Sequence, residues 1–441
     1  MPGGDHDDIC RERFGGRVSI QLLSIVLLVV IFLIATVLPI NMGALALAAT
    51  FFIGVLGLGL SAREIFAGFP GDLFVTLVAV TYLFAIAQKN GAVDWLVERA
   101  VLLVRGHVMA IPWVMFFVAA ALTAFGALSP AAVAILAPVA LTFAARHRIS
   151  PLMMGLMVIH GTAAGGFSPI SVWGGIVNGL VAKAGLASGA NQIFLASLAF
   201  NFAIAVILFV AFGGLRLARA AAGPPIETSP ATGAAASETG PVALSAHGAV
   251  TLAGILALGV GAIAFDLNVG LLAMVVAIGL SLMAPGAQKG AIEKVSWSTV
   301  LLICGVVTYV EVMQAAGTVT QIGAAISTLG SPLIAALLLC FTGAIVSAFA
   351  SSTALLGAII PLAVPFLLQG RVSPVGVIAA IAICTTIVDT SPFSTNGALV
   401  VANAPEEGRE KLLRQLLLYS GVIVAVGPIV AWLVLIVPGW I

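Results

Sequence analysis

Charge is scarce in this chain of 441 residues: 8% are Asp, Glu, Lys or Arg, against about 25% in a soluble domain. That deficit excludes a charged, solvated surface around a single buried core. The net charge of +1 also excludes a basic face for nucleic acid. Paired cysteine motifs are missing too. Cys10, Cys304, Cys340 and Cys384 have neither CxxC nor Cys/His ligand spacing, and the last three lie in apolar sequence, so they read as structural thiols. HExxH, Walker A and GxSxG are absent, and no serine has a buried His/Asp partner set, which leaves no enzyme chemistry to assign.

What is present is one apolar run after another. Hydrophobic residues make up 61% of the chain and the mean hydropathy is +1.21. Leu, Val, Ile, Ala and Phe stretches able to cross about 30 Å of hydrocarbon recur from end to end, without the alternation of an outer-membrane barrel. The chain therefore reads as an all-α polytopic membrane protein with the lipid bilayer as its surroundings. Residues 1–17 form a polar tail. The run from Val18 to Pro39 exceeds the roughly 7 to 15 residues of a signal h-region and reads as a retained first helix.

The sequence also repeats itself. At an offset of 223 residues, "ALSPAAVAILAP" (127–138) overlies "ASSTALLGAIIP" (350–361), "RISP" (148–151) overlies "RVSP" (371–374), and "FSPIS" (167–171) overlies "TSPFS" (390–394). With a shift of three, "NGAVDWL" (90–96) falls over "AGTVTQI" (316–322). Matches in one order at nearly one offset mark an internal duplication. Between the copies lies 216–248, a Pro/Ala/Ser/Thr/Gly segment too polar to pack, which reads as a flexible cytoplasmic linker.

We divide each copy in the same way. The first has scaffold helices and an amphipathic surface arm in 18–107, then a hairpin, a broken helix and a last helix in 108–215. The second repeats this in 249–330 and 331–441. If the hairpin enters and leaves on one side, each copy crosses five times and the second lies inverted relative to the first. With the linker inside, twelve of the 18 basic residues fall on the cytoplasmic side, including Lys89, Arg146, Arg148, Lys289, Lys294 and Arg409. The positive-inside rule agrees everywhere except at the N-terminal tail.

Four polar interruptions stand out. Leu128-Ser129-Pro130 and Ser351-Ser352-Thr353 each sit between apolar arms that are short for a full span. Phe167-Ser168-Pro169-Ile170-Ser171 and Thr390-Ser391-Pro392-Phe393-Ser394 each split a long apolar run. In "DTSPFSTN", Asp389 to Asn396, six of eight residues are polar. Irregular backbone at membrane depth must be satisfied by protein, water or ligand, and Pro169 and Pro392 break helices there. Two hairpin tips meeting two broken helices gather helix N-termini, which suit an anion, and free carbonyls, which suit a small cation. Any one serine has a plainer reading, bonding back to the i−4 carbonyl or joining two helices; four interruptions retained in pairs are better explained as a site. Asp389 is the one acid deep within a long span, a candidate cation ligand, proton carrier or cap, and its repeat partner is Gly166. His160 is expected to pack helices, and Glu311 to reach the interface.

The stretches "AGFPGDLFVTLVAVTYLFAIAQ", "GLMVIHGTAAGGFSPIS", "LLCFTGAIVSAFASSTALLGAIIPLAVPFLLQG" and "TTIVDTSPFSTNGALVVANAP" resemble the malonate carrier family of bacterial dicarboxylate transporters. That family lies within the ion transporter superfamily that includes the divalent anion/sodium symporters. The resemblance implies Na⁺- or H⁺-coupled uptake of a short dicarboxylate across the bacterial inner membrane, an elevator motion of the hairpins and broken helices past the scaffold, and a homodimer. It points to substrate contacts at Ser129, Ser168, Ser171, Ser352, Thr353, Ser394, Thr395 and Asn396. Candidate sodium contacts are Ser129, Ser168, Ser351, Ser352, Asp389, Thr390 and Ser391. The symporters carry Ser-Asn-Thr at each hairpin tip; here the second tip keeps two hydroxyls and the first keeps one, which suits a three-carbon diacid such as malonate. No organic cofactor is expected. A Na⁺/H⁺ antiporter or oxyanion exporter of the same superfamily, and a channel or membrane scaffold, stay open as alternatives.

Overall fold

The computed structural model describes residues 19–439 apart from 104–107, 188, 215–216, 218–243, 266, 286–288, 328–330, 350 and 371. The N-terminal tail and nearly all of the expected linker lie outside the described residues. The linker's last residues are an exception and a correction, because a helix already begins at Ala246. Ser245 starts it by accepting a hydrogen bond from Gly248 N at 2.9 Å.

All regular structure among the described residues is helical. The first half runs α1 (Ile20–Val37), α2 (Met42–Thr50, continued as a π-helix to Gly57), the short α3 (Ala62–Ala67), α4 (Gly71–Lys89), α5 (Ala92–Leu103), α6 (Ile111–Ala124), α7 (Ser129–Arg146), α8 (Pro151–Gly165), α9 (Val172–Lys183) and α10 (Ala190–Ala211). The second half runs α11 (Ala246–Ala264), α12 (Val269–Met283), α13 (Trp297–Ala315), α14 (Thr318–Ser327), α15 (Pro332–Ser347), α16 (Ser352–Leu367), α17 (Pro374–Ile387), α18 (Thr395–Ala402) and α19 (Glu406–Ala431). Among the described residues, seven helices are long and apolar enough to cross a membrane. The chain is thus a multi-pass membrane protein by its helices.

Local chemistry explains the boundaries that matter. "RISP" and "RVSP" are helix starts. Ser150 and Ser373 accept hydrogen bonds from Met153 N and Gly376 N, each at 3.4 Å, and Pro151 and Pro374 take the first helical position, where a missing N–H costs nothing. The expected surface arm is α5; its residues 104–106 lie outside the described residues.

Packing separates two groups of helices. The broken spans are the most enclosed: every residue of Leu152–Gly165 is buried, and so is every residue of Val375–Ile387. By contrast α1 is 17% buried and presents most of its surface outward, whereas the span Pro374–Ala402 is 94% buried.

The halves interlock. α2 crosses α13 and α12 crosses α4, and each crossing depends on a glycine. A Cβ on Gly43 would stand 2.0 Å from Leu301 O, and one on Gly270 would stand 2.6 Å from Thr76 Oγ1. Small residues let backbones approach where lipid offers no hydrophobic drive to associate.

Candidate substrate and cation site

The two broken helices stop and restart by the same device. After α8, Ser171 caps α9. Its hydroxyl lies 2.5 Å from Gly166 O and 2.7 Å from Ser168 O, and it accepts from Gly174 N at 3.0 Å. After α17 and a single 3₁₀ turn, Ser394 caps α18. Its hydroxyl lies 2.5 Å from Asp389 O and 2.7 Å from Ser391 O, and it accepts from Gly397 N at 3.3 Å. All three partners of each serine match at the 223-residue offset. Gly174 and Gly397 are needed because a Cβ would come within 1.9 Å of Ser168 O or 2.1 Å of Ser391 O.

The hairpin tips reach these breaks from opposite halves. Asn396, at the start of α18, donates to Ser129 Oγ at the start of α7 at 2.7 Å. Trp173, at the start of α9, donates from Nε1 to Thr353 Oγ1 at the start of α16 at 2.9 Å. Trp173 and Asn396 are repeat partners, so each broken helix contacts the other half's tip. Ser129 in turn donates to Thr162 Oγ1 at 2.8 Å. At the second tip, the Ser352 and Ser347 hydroxyls are 2.8 Å apart, and Ser352 hydrogen-bonds Asp389 Oδ1. Asn396 Nδ2 is 3.4 Å from Asp389 Oδ2.

The result is a continuous polar chain, Thr162–Ser129–Asn396–Asp389–Ser352–Ser347, among buried residues. Asn396 Oδ1 has no hydrogen-bond partner among the described residues, although Asn396 is 2% exposed. An orphaned buried oxygen costs about 1–3 kcal/mol, so it calls for a ligand or water. Asp389 sits against the N-terminus of α16, where partial positive charge favours a carboxylate. One carboxylate plus neutral amide and hydroxyl oxygens is a donor set for a hard monovalent cation rather than a transition metal.

Beside this chain opens a cavity of about 300 Å³ lined by Ser351, Ser394 and Thr395, with Phe349 and Phe393 on the same side and Asn41 and Ser298 facing them. Of the residues expected from sequence, Ser129, Ser352, Asp389 and Asn396 meet in the polar chain, Thr353 accepts from Trp173 beside it, and Ser351, Ser394 and Thr395 border the cavity. Four are engaged locally: Ser168 accepts from Ile170 N at 3.4 Å, Ser171 caps its helix, Thr390 donates to Ile387 O at 3.3 Å, and Ser391 accepts from Phe393 N at 3.3 Å. Sequence reasoning missed Thr162, Ser347 and Trp173. Only the last left a signal, its place opposite Asn396 at the repeat offset.

Two further contacts tie the surrounding helices together. His160 is fully buried between helices, its Nδ1 2.9 Å from Asn201 Oδ1 on α10 and its Nε2 2.7 Å from the Tyr419 hydroxyl on α19. Asn201 Nδ2 donates to Ser197 O, which turns Oδ1 toward the ring. His160 therefore carries its proton on Nδ1 and accepts from Tyr419. The packing role expected of His160 is the one its contacts describe. Glu311, expected to reach the interface, is partly exposed near the end of α13 and pairs with Lys183 Nζ at 2.9 Å; Lys183 also donates to Gly68 O at 3.1 Å.

A helical bundle with broken spans and hairpin tips gathered around a buried carboxylate defines the chain as a polytopic membrane protein. Residues 18–166 match the family described as dicarboxylate carrier protein MatC N-terminus. The match ends at the first break, so Asp389 and Asn396 lie beyond it. The crystal structure of the Alcanivorax borkumensis YdaH transporter, described as having an unusual topology, is similar in fold, with a TM-score of 0.58 at 17% identity over 94% of this chain and 98% of that one. No curated protein matches the chain.

Proposed function

We propose that the protein is a secondary active transporter that carries a small dicarboxylate, malonate first among them, into a bacterial cell across the inner membrane together with Na⁺. The observation that carries this reading is the Asp389–Asn396–Ser352 cluster beside the 300 Å³ cavity. The match of residues 18–166 to the dicarboxylate carrier family supports the substrate class. An anionic substrate at the tip of α16 would meet the negative charge of Asp389, and a cation bound at Asp389 and Asn396 Oδ1 removes that conflict. Substrate and cation binding are then interdependent, as symport requires.

We read the second half as an inverted copy of the first, with α1, α2, α4, α11, α12 and α13 as a dimeric scaffold and the hairpins and broken helices as the moving part of an elevator. The cavity is bounded by Asn41 and Ser298, at the starts of α2 and α13. Positive-inside counting assigns that end of the scaffold to the cytoplasm, so the state described is open inward.

Uptake of radiolabelled malonate into proteoliposomes tests this reading. Accumulation above equilibrium is expected under an inward sodium gradient and not under a proton gradient alone. Uptake that neither saturates nor follows any cation gradient would instead indicate a channel.

A further inference from the structure

Within the site, the two halves differ in character at one pair of positions. In the second half the pair is Asp389 and Asn396; at the repeat offset the first half has Gly166 and Trp173. Each pair is in contact within its own half. Asn396 Nδ2 reaches the Asp389 carboxylate, whereas the Trp173 indole lies over Gly166 so closely that a Cβ there would be 2.4 Å from Trp173 Cε3. A small residue with a large one has taken the place of two polar residues of intermediate size.

The consequence for space is one-sided. In the first half, the cleft between the hairpin tip at Leu128 and Ser129 and the break at Gly166 and Val172 is closed by Trp173 and has no room for a water molecule. In the second half, the counterparts Ser351 and Thr395 border the open cavity. Trp173 is 4% exposed, held by the hydrogen bond to Thr353 Oγ1 and by Phe167, with ring centroids 5.6 Å apart. A ring fixed at both its polar and apolar ends is a rigid wall.

Building on the transport reading above, we propose that Trp173 is the residue that sets substrate length. Its indole fills what would be a second ligand pocket at the first tip and backs Thr353, which lies between Ser351 and Ala354 of the second-half cavity lining, so a diacid anchored in that cavity finds an aromatic ring behind its wall instead of a second polar cleft. Short diacids fit within that limit, and each added methylene is pressed against the ring.

The test is competition of malonate, succinate and glutarate against radiolabelled malonate uptake in proteoliposomes, with wild type and the Trp173→Ala, Trp173→Leu and Trp173→Phe variants. Wild type should favour the three-carbon acid. Trp173→Ala should shift the malonate-to-glutarate preference at least about tenfold toward glutarate, with Trp173→Leu between, and the half-saturating sodium unchanged within about twofold. Trp173→Phe should keep the wild-type order, because most of the ring volume remains though the bond to Thr353 is lost. Should the alanine variant fail to fold, the leucine variant carries the same comparison. If Ala and Leu lower uptake of all three acids alike and leave the order intact, Trp173 is structural only and the proposal is overturned. A wild type that takes up none of the three would sink the transport reading itself, and is distinguished by that arm alone.

Discussion

Asp389 is a carboxylate held among hydroxyl and amide groups with no lysine or arginine lining the neighbouring cavity. A charge so placed needs a proton or a cation. Replacing it by asparagine keeps the shape and an acceptor for Ser352 while removing the charge. We therefore expect Asp389→Asn to raise the half-saturating sodium at least about tenfold, corresponding to about 1.4 kcal/mol, with little loss of thermal stability. Sodium titration of malonate uptake, alongside a melting curve of the purified protein, checks this. Unchanged sodium dependence would remove Asp389 from the cation site. The residue's burial was legible in sequence, where it is the lone deep acid. Its contact with Ser352 was not, because the two are 37 positions apart and meet only when the second hairpin folds against the break.

At the scale of elements, the hairpins, breaks and helix starts were legible because each has its own chemistry: Ser-Pro at the starts of α8 and α17, and Pro169 and Pro392 in the breaks. The crossings were not, since a glycine in an apolar run does not announce its partner. Gly43 and Gly305 lie back to back, with a Cβ on Gly305 reaching 2.1 Å from Gly43 O. Gly421 in α19 has nothing within 4 Å. Gly43→Ala should therefore destabilise the protein by about 1–3 kcal/mol, the scale of overpacking. Gly421→Ala should be neutral or stabilise by up to about 1 kcal/mol through helix propensity. Melting temperatures of the two variants in one detergent decide the matter; equal shifts would mean the α2–α13 crossing can relax.

For the whole molecule, the ion pair between Lys183 and Glu311 joins α9 to α13, that is, the part we read as moving to the part we read as fixed. Both side chains are 34% exposed, so the pair contributes at most about 1 kcal/mol. That is enough to change the ratio of two states about fivefold. Lys183→Gln or Glu311→Gln should lower the inward-open population by up to that factor, and the exchange of the two charges in a double variant should restore it. Pulsed electron spin resonance distances between labels on α9 and α13 measure the populations. Failure of the double variant to restore them would show that the pair does not latch the inward state.

Composition alone determined that this chain lives in a bilayer, because 8% charged residues cannot clothe 441 residues in water. The 223-residue offset likewise determined which segments correspond and where helices must break, because proline and serine act on the backbone within a few residues of themselves. Tertiary structure decided which of the polar residues share one network and which are held by their own turn. Ser171 and Ser394 turned inward to cap helices, while Asn396 and Trp173 crossed to the opposite tip. It also decided that the repeated halves offer unequal space, a large ring over a glycine on one side and an amide beside a carboxylate on the other. Space between residues hundreds of positions apart is a property of the packed bundle, and local sequence does not encode it.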